Sequence, residues 1–255
     1  MRPVVLCFSG LDPSGGAGLQ ADIETIASLG GHAAVVCTAL TVQDSNRVHG
    51  FTPVDPALLE AQARAVLADL PVAAIKLGML GSAETAQMLG ELLPEYAHIP
   101  VVMDPVLAAN AGGNLAGGDL VAALLELLPL ATLLTPNTVE ARRLSDHDSL
   151  NDAVHFLRAQ GSRHILLKGG HEPGEQICNR LYNEHGVVRE SRWPRLPGEY
   201  HGSGCTLASA IATGIAKGQT LRAAVEQAEA YVETALRRAD RPRSSGQFLP
   251  VRIQP

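Results

Sequence analysis

The segment Tyr200–Ala210, with the sequence YHGSGCTLASA, joins a glycine-rich turn to the start of an apolar helix. Glycines flank Ser203, and apolar residues then recur at helical spacing as far as Ile215. A turn that leads into a helix leaves the first backbone amides unpaired at the positive end of the helix dipole. The segment therefore fits a phosphate or oxyanion site, and it also fits a plain Ser-capped helix with a buried cysteine. At this position the helix field favours the thiolate form of Cys205.

The composition is that of one soluble domain with a large core: 255 residues, 46% of them hydrophobic, with a formal net charge of −6. Lysines and arginines form no cluster, so we expect neither a nucleic acid nor a membrane as a partner. The N-terminal apolar run is too short for a signal peptide or a membrane span. The cysteines lack Cys-x-x-Cys spacing, which indicates reduced thiols in the cytoplasm. We expect a single domain over residues 1–255, with a mobile tail at 239–255.

Short apolar runs alternate with amphipathic segments at a spacing of roughly 30 residues, which is typical of βαβ units. This rhythm predicts an α/β fold with a parallel sheet and crossover helices. The mixed segment 38–54 predicts a half-exposed flap at the sheet edge, and the segment 178–189 predicts a hairpin. Polar residues follow the predicted strands, at the edge where open α/β sheets bind ligands: Asp12, Lys76, Asp104, Asn137 with Glu140, and Lys168.

The loop after the first predicted strand contains the sequence GAGLQA at 16–21, which matches the dinucleotide-binding pattern. The glycines come too late after the strand, and no acidic residue ends the second strand to hold a ribose. A loop whose glycines let the backbone approach a flat ligand is the better interpretation.

The predicted edge carries the groups that phosphoryl transfer requires. A phosphate-binding helix start would meet the carboxylates of Asp104 and Glu140 and the cation of Lys168. One or two carboxylates are enough to hold Mg²⁺ when nucleotide phosphates and waters complete its shell. The chain has neither a P-loop nor the protein-kinase motifs.

In these motifs the chain resembles the ribokinase-like superfamily, and within it the hydroxymethylpyrimidine/phosphomethylpyrimidine kinases of thiamine biosynthesis. The likeness extends over residues 3–236 and is carried by the segments 9–22, 38–43, 76–80, 104–106, 135–141, 167–171 and 201–207. It implies a three-layer α/β/α sandwich with a mostly parallel sheet and a small edge flap. It also implies a homodimer that uses ATP and Mg²⁺ to phosphorylate 4-amino-5-hydroxymethyl-2-methylpyrimidine and then its monophosphate.

The resemblance implies a role for each residue that matches a family motif. The pyrimidine would contact Gly10, Asp22, Gln43, Met79 and Val106. The nucleotide phosphates would contact Asn137, Lys168 and Ser203, and Mg²⁺ would contact Asp104 and Glu140. The catalytic group would be Lys168, the anion hole of Gly202, Ser203 and Gly204, and Cys205. Cys205 would act as the general base or would only position the substrate hydroxyl.

Two of the substrate-binding residues also have simpler interpretations. The amide of Gln43 can donate and accept, which suits an aminopyrimidine edge, but a solvated flap residue is the alternative. Met79 is a common core residue type, although its place after Gly78 at a strand end favours the pocket.

The chain departs from the family pattern at two places. It reads LAANAGGN at 107–114, where the family usually has a Lys-Ser-Gly-Asp-like segment, and its tail lacks the usual Gly-x-Gly-Pro stretch. These departures argue against the second phosphorylation more than against the first. They also leave a pyridoxal- or pyridoxine-type vitamin kinase as an alternative. A non-catalytic pyrimidine-binding or regulatory protein is a third hypothesis, which predicts the loss of Cys205, Asp104 or Lys168.

Overall fold

The computed structural model describes residues 1–107, 118–243 and 246–253. Its strands are β1 (Val4–Leu11), β2 (His32–Gln43), β3 (Val48–Pro53), β4 (Val72–Leu77), β5 (Val101–Met103), β6 (Leu133–Leu134), β7 (Ile165–Leu167), β8 (Gln176–Asn183) and β9 (Gly186–Pro194). Its α-helices are α1 (Gly18–Ser28), α2 (Pro56–Asp69), α3 (Ala83–Leu92), α4 (Gly118–Leu127), α5 (Thr138–Ser145), α6 (Leu150–Ala159), α7 (Ser203–Ala216) and α8 (Leu221–Arg237). Single-turn 3₁₀ helices cover Leu93–Tyr96 and Leu128–Leu130. Positions 108–114 of the departing segment lie outside the described residues.

The strands of the described ranges form one nine-stranded sheet in the order β3-β2-β1-β4-β5-β6-β7-β8-β9. The six strands from β2 to β7 in this order run parallel. Strand β3 pairs antiparallel with β2 and forms the predicted edge flap, and the antiparallel pair β8–β9 forms the predicted hairpin at the other edge. The mostly parallel sheet and the flap are therefore confirmed.

Strand β1 lies inside the sheet, and its side chains alternate between two apolar layers. Leu6 and Phe8 pack in a cluster with residues of α2 to α6 on one face. Val5 and Cys7 pack with α1, α7 and α8 on the other. A strand covered on both faces needs a continuous apolar sequence, which explains the VVLCF run at 4–8. The three-layer sandwich expected from the resemblance is confirmed.

A buried ion pair joins the sheet to the helical layer that contains α7. The Nζ atom of Lys76 in β4 lies 2.8 Å from Oδ1 of Asp22 in α1, and both side chains are fully buried. The hydroxyl of Ser209 in α7 donates to the same carboxylate over 2.6 Å. Burial alone would lower the pKa of Lys76, but the Asp22 carboxylate outweighs it and the pKa lies above its ordinary value. The pair therefore remains charged inside the protein.

The tail is held against the domain over the residues that the structure describes, 246–253, where the sequence predicts mobility. Phe248 pairs with Tyr200 in an isolated β-bridge, and their rings lie 5.4 Å apart between centroids. The side chain of Arg252 is buried, with an exposed fraction of 2% for the residue. The sequence shows charge and proline here but not the acceptors that Arg252 finds elsewhere in the fold. Within these described ranges, none of the helices has the length and apolar character needed to cross a membrane.

Removing one member of the buried pair should destabilise the protein strongly. Lys76→Met leaves the Asp22 carboxylate buried without its cation, so we expect the free energy of unfolding in urea to fall by about 3–5 kcal/mol. The double variant Asp22→Asn/Lys76→Met removes both charges and should recover part of this loss. Lys217→Met, at an exposed position after α7, serves as the control and should change stability by about 0.5 kcal/mol or less. Equal losses in the single and double variants would contradict the ion-pair argument.

Candidate active site

A cavity of about 240 Å³ opens at the carboxyl ends of the parallel strands, between the starts of α1 and α7. It brings together the residues to which the resemblance assigns a role, except Asp22: Gly10, Gln43, Met79, Asp104, Val106, Asn137, Glu140, Lys168, Gly202, Ser203, Gly204 and Cys205. Asp22 does not line the cavity and is fully buried in the ion pair with Lys76. The expectation that Lys76 faces the ligand edge is corrected for the same reason.

Two helices begin at this cavity without a side-chain cap. The N-cap residues are Ala17 for α1 and Gly202 for α7, and neither makes a side-chain cap hydrogen bond. Gly202 has a φ of 72°, which glycine adopts without strain. A Cβ atom here would also collide with the carbonyl oxygen of Gly16 and lie 2.8 Å from the Cα of Ala17. Glycine at 202 thus lets the two helix starts meet, and their positive ends make the cavity suited to an anion.

A cation and two carboxylates lie beside the start of α7. Nζ of Lys168 lies 2.7 Å from Oδ1 of Asp104, which also accepts a 3.0 Å hydrogen bond from the hydroxyl of Thr135. The same Nζ is 4.0 Å from Oε2 of Glu140. A Cβ atom on Gly204 would lie 3.2 Å from the ammonium, which shows how closely the cation approaches the helix start.

The carboxylate of Glu140 is held by a capping box at the start of α5. Its Oε2 accepts from the amide of Asn137 over 2.7 Å, and Oδ1 of Asn137 accepts from the amide of Glu140 over 2.8 Å. Burial raises the pKa of Glu140 to about 7, helped by the charge of Asp104 and opposed by Lys168. In the described part of the chain, His, Cys, Asp and Glu side chains form no cluster of three that could hold a metal. Asp104 and Glu140 offer two carboxylates, which is the number that Mg²⁺ needs from a protein when phosphates and water supply its other ligands.

Cys205 lies in the first turn of α7 as predicted, but its surroundings do not favour the thiolate. Burial raises the pKa of Cys205 above its ordinary value, and the carboxylates of Asp22 and Asp104 raise it further. The ammonium of Lys76 and the backbone amide of Gly18 act in the opposite direction and do not outweigh the burial. The thiol is therefore protonated at neutral pH, which corrects the prediction made from the helix dipole alone.

An apolar patch forms one wall of the cavity. Met79 is buried and packs against Ala39, with Val48, Phe51 and Val106 around them. A Cβ atom at Gly10 would lie 3.1 Å from the sulfur of Met79, so the glycine keeps this wall flat. The patch therefore has the shape and polarity to receive the face of an aromatic ring.

His201 and Asp12 contribute to the polar edge of the cavity. Sequence reasoning placed Asp12 at this edge but gave His201 no role. Nε2 of His201 lies 2.7 Å from Oδ2 of Asp12 and 2.8 Å from Nε2 of Gln43. Burial alone would raise the pKa of Asp12, but hydrogen bonds from His201 and Ser14 outweigh it and lower the pKa. The position of His201 directly before Gly202 was the available signal, because a residue next to a helix N-cap faces the same cavity.

A buried network fixes the opposite end of the cavity, which the sequence also did not indicate. Oδ1 of Asn179 accepts from the amide of Gly169 over 3.0 Å, and its Nδ2 donates to Glu229 over 2.9 Å. The same carboxylate accepts from Ser191 over 2.7 Å and from Arg189 over 2.6 Å. The backbone next to Lys168 is thereby tied to β8, β9 and α8. These contacts join residues that are far apart in sequence, so no local motif announces them.

Acid should weaken the protein through Asp12. Its lowered pKa means that its contribution to stability is present above the unfolded-state pKa of about 3.9 and is lost as the pH falls through the folded-state value. In urea titrations below about pH 4 the wild type should therefore lose more stability than Asp12→Asn. Asp69→Asn, at an exposed site on α2, should keep the wild-type slope. Parallel pH profiles for wild type and Asp12→Asn would contradict this assignment.

A family model described as phosphomethylpyrimidine kinase matches residues 12–251. The chain is 43% identical over 244 residues to the thiamine biosynthesis bifunctional protein ThiED of Geobacter sulfurreducens, covering 93% of this chain and 50% of that protein, so it spans about half the length of this relative. It is 41% identical over 241 residues to the hydroxymethylpyrimidine/phosphomethylpyrimidine kinase of Streptomyces coelicolor, with coverages of 92% and 88%. The solved pyridoxal kinase from Staphylococcus aureus in complex with AMP-PCP and pyridoxal superposes with a TM-score of 0.88 at 28% identity, with coverages of 99% and 94%. The chain belongs to the phosphomethylpyrimidine kinase family.

Proposed function

We propose that this protein transfers the γ-phosphoryl group of ATP to the hydroxymethyl group of 4-amino-5-hydroxymethyl-2-methylpyrimidine, and then phosphorylates the monophosphate. The observation that carries the proposal is the contact of Gly16 with Gly202, which places two uncapped helix starts together in a cavity that the apolar wall also lines. One cavity thus offers a surface for a flat ring and a socket for a phosphoryl group. The name and the 41% identity of the Streptomyces relative support the same substrate class.

The ring would lie on the wall formed by Met79 and Val106, with Gln43 at its polar edge. An amide can both donate to a ring nitrogen and accept from an exocyclic amino group. In the free protein the side-chain amide of Gln43 lines the cavity beside Nε2 of His201. This favours a substrate contact over a solvated flap residue.

The phosphates would lie between α7 and the strand ends. Amides of Gly202, Ser203 and Gly204 would donate hydrogen bonds to the oxygens of the transferred phosphoryl group. Lys168 and Asn137 would contact the nucleotide phosphates. Asp104 and Glu140 would hold Mg²⁺, whose charge neutralises the phosphate oxygens. Because the transition state of phosphoryl transfer is loose, positioning and charge neutralisation account for most of the rate acceleration.

Cys205 would lie beside the acceptor hydroxyl, within hydrogen-bond reach of it. As a general base it would take the hydroxyl proton while the oxygen bonds to the γ-phosphorus and the bond to ADP breaks. As a positioning group it would hold that hydroxyl by a hydrogen bond and leave the proton to solvent or phosphate. The raised pKa of the thiol favours positioning, since little thiolate is present at neutral pH.

Replacing Cys205 should separate these roles. Cys205→Ala should lower kcat by about 10²-fold or more while calorimetry still detects pyrimidine binding. Cys205→Ser should recover much of the loss if the group positions the hydroxyl, and little if it acts as a base. Cys178→Ala, outside the cavity on β8, is the matched control and should retain wild-type kinetics. Turnover by Cys205→Ala at the wild-type rate would remove Cys205 from the mechanism.

A pyridoxal-type vitamin kinase is the second candidate, favoured by the TM-score of 0.88 to the Staphylococcus aureus pyridoxal kinase. An ATP-coupled assay with hydroxymethylpyrimidine and pyridoxal side by side should give the higher kcat/KM with the pyrimidine. Phosphorus NMR of the products over time should show the monophosphate and then the diphosphate. Higher kcat/KM with pyridoxal would contradict the proposal, and binding without turnover of either compound would support a non-catalytic protein. The homodimer stays a prediction, which sedimentation equilibrium tests.

A further inference from the structure

Arg252 makes a set of contacts that its place near the chain end does not suggest. Its exposed fraction is 2%, and its Nε atom donates to the hydroxyl of Thr206 over 2.8 Å. Its Nη1 atom donates to the carbonyl of Gly15 over 3.3 Å, and Nη2 donates to the carbonyl of Gly16. The backbone carbonyl of Arg252 accepts a 2.6 Å hydrogen bond from the hydroxyl of Tyr231 in α8.

These contacts end on both halves of the candidate active site. Gly15 and Gly16 belong to the loop that precedes α1, next to the cavity-lining residues Ala17 and Gly18. Thr206 lies in the first turn of α7, and its hydroxyl donates to the carbonyl of Gly202 over 2.8 Å. One guanidinium thus bonds directly to the loop before α1 and reaches the first turn of α7 through the hydroxyl of Thr206.

The charge of this guanidinium argues against a purely structural role. A cation near a helix N-terminus opposes the helix dipole, and Arg252 lies near the starts of both α1 and α7. Its ionic partner is Glu24, at 3.2 Å from Nη1, whose side chain is one-quarter exposed. The guanidinium and the two helix dipoles repel each other, and a bound anion at the two helix starts would offset that repulsion.

We propose that Arg252 is a positioning residue that fixes the distance between the loop beneath the acceptor ring and the socket for the phosphoryl group. The inference rests on the proposed function. In-line transfer requires the acceptor oxygen and the phosphorus in near-attack geometry, and a misplacement of about 1 Å costs about 10²-fold in rate. Arg252 acts through Gly16 and Gly202 and does not itself touch the reacting atoms.

The test uses full-length Arg252→Lys and Arg252→Ala in the ATP-coupled pyrimidine assay. A lysine has one nitrogen and does not reach both segments, so kcat should fall by about 10- to 100-fold while KM for the pyrimidine changes by less than about threefold. Guanidinium chloride at millimolar concentration should restore part of the activity of Arg252→Ala and none of Arg252→Lys. Arg238→Ala, at an exposed arginine after α8, is the control and should match the wild type.

Hydrogen exchange provides a readout that does not depend on turnover. Arg252→Lys should exchange faster than wild type at residues 15–18 and 202–205 together, with unchanged exchange in β4 and β5. If Arg252→Ala does not fold, Tyr231→Phe is used instead. It removes the hydrogen bond to the backbone carbonyl of Arg252 and should lower kcat severalfold. Wild-type kcat in folded Arg252→Lys, or unchanged exchange in both segments, would overturn the inference. A wild-type protein that phosphorylates neither substrate would overturn the proposed function. The exchange result would then decide by itself whether Arg252 holds the two segments together.

Discussion

The close approach of the Gly16 carbonyl to the α-carbon of Gly202 is the constraint on which the site depends. Two segments separated by most of the chain meet there, and there is no room for a side chain at 202. The backbone of Gly202 also lies in the left-handed region, so glycine serves both the turn and the contact. This contact brings the starts of α1 and α7 together, and their backbone amides take the place of a cluster of basic side chains at the phosphate site.

The charges around the cavity are balanced in pairs. Lys168 is matched by Asp104 and Lys76 by Asp22, so each buried cation has a carboxylate within ion-pair distance. Such pairing lets ammonium groups remain charged where burial alone would neutralise them. It also explains the protonated thiol of Cys205, because the carboxylates and burial together outweigh the nearby ammonium of Lys76. The positive potential available to a phosphate therefore comes from the helix amides as well as from Lys168.

Sequence reasoning captured the features that repeat or lie close together in the chain. The alternation of apolar runs and helices was sufficient for the parallel sheet, and the polar residues after the strands located the cavity because parallel strands end at one edge. It did not predict which charged side chains are buried. Asp22 looked like a ligand residue, but Lys76 and Ser209 bury its carboxylate from two other elements. Arg252 and Glu229 found partners that no spacing in the sequence reveals.

The two ends of the cavity differ in how much sequence change they can absorb. The flap strands β2 and β3 expose Leu40 and Val42, with fractions of 53% and 65%, and exchanges at such positions typically alter stability by about 0.5 kcal/mol or less. The Asn179–Glu229 network is buried. Losing one member leaves buried donors or a buried carboxylate without a partner, and the resulting loss of stability is several times that amount. The outer surface of the flap should therefore tolerate substitution more readily than the backbone beside Lys168, which this network anchors. Variants that broaden the choice of ring are accordingly best sought by replacing flap residues while the network is kept intact.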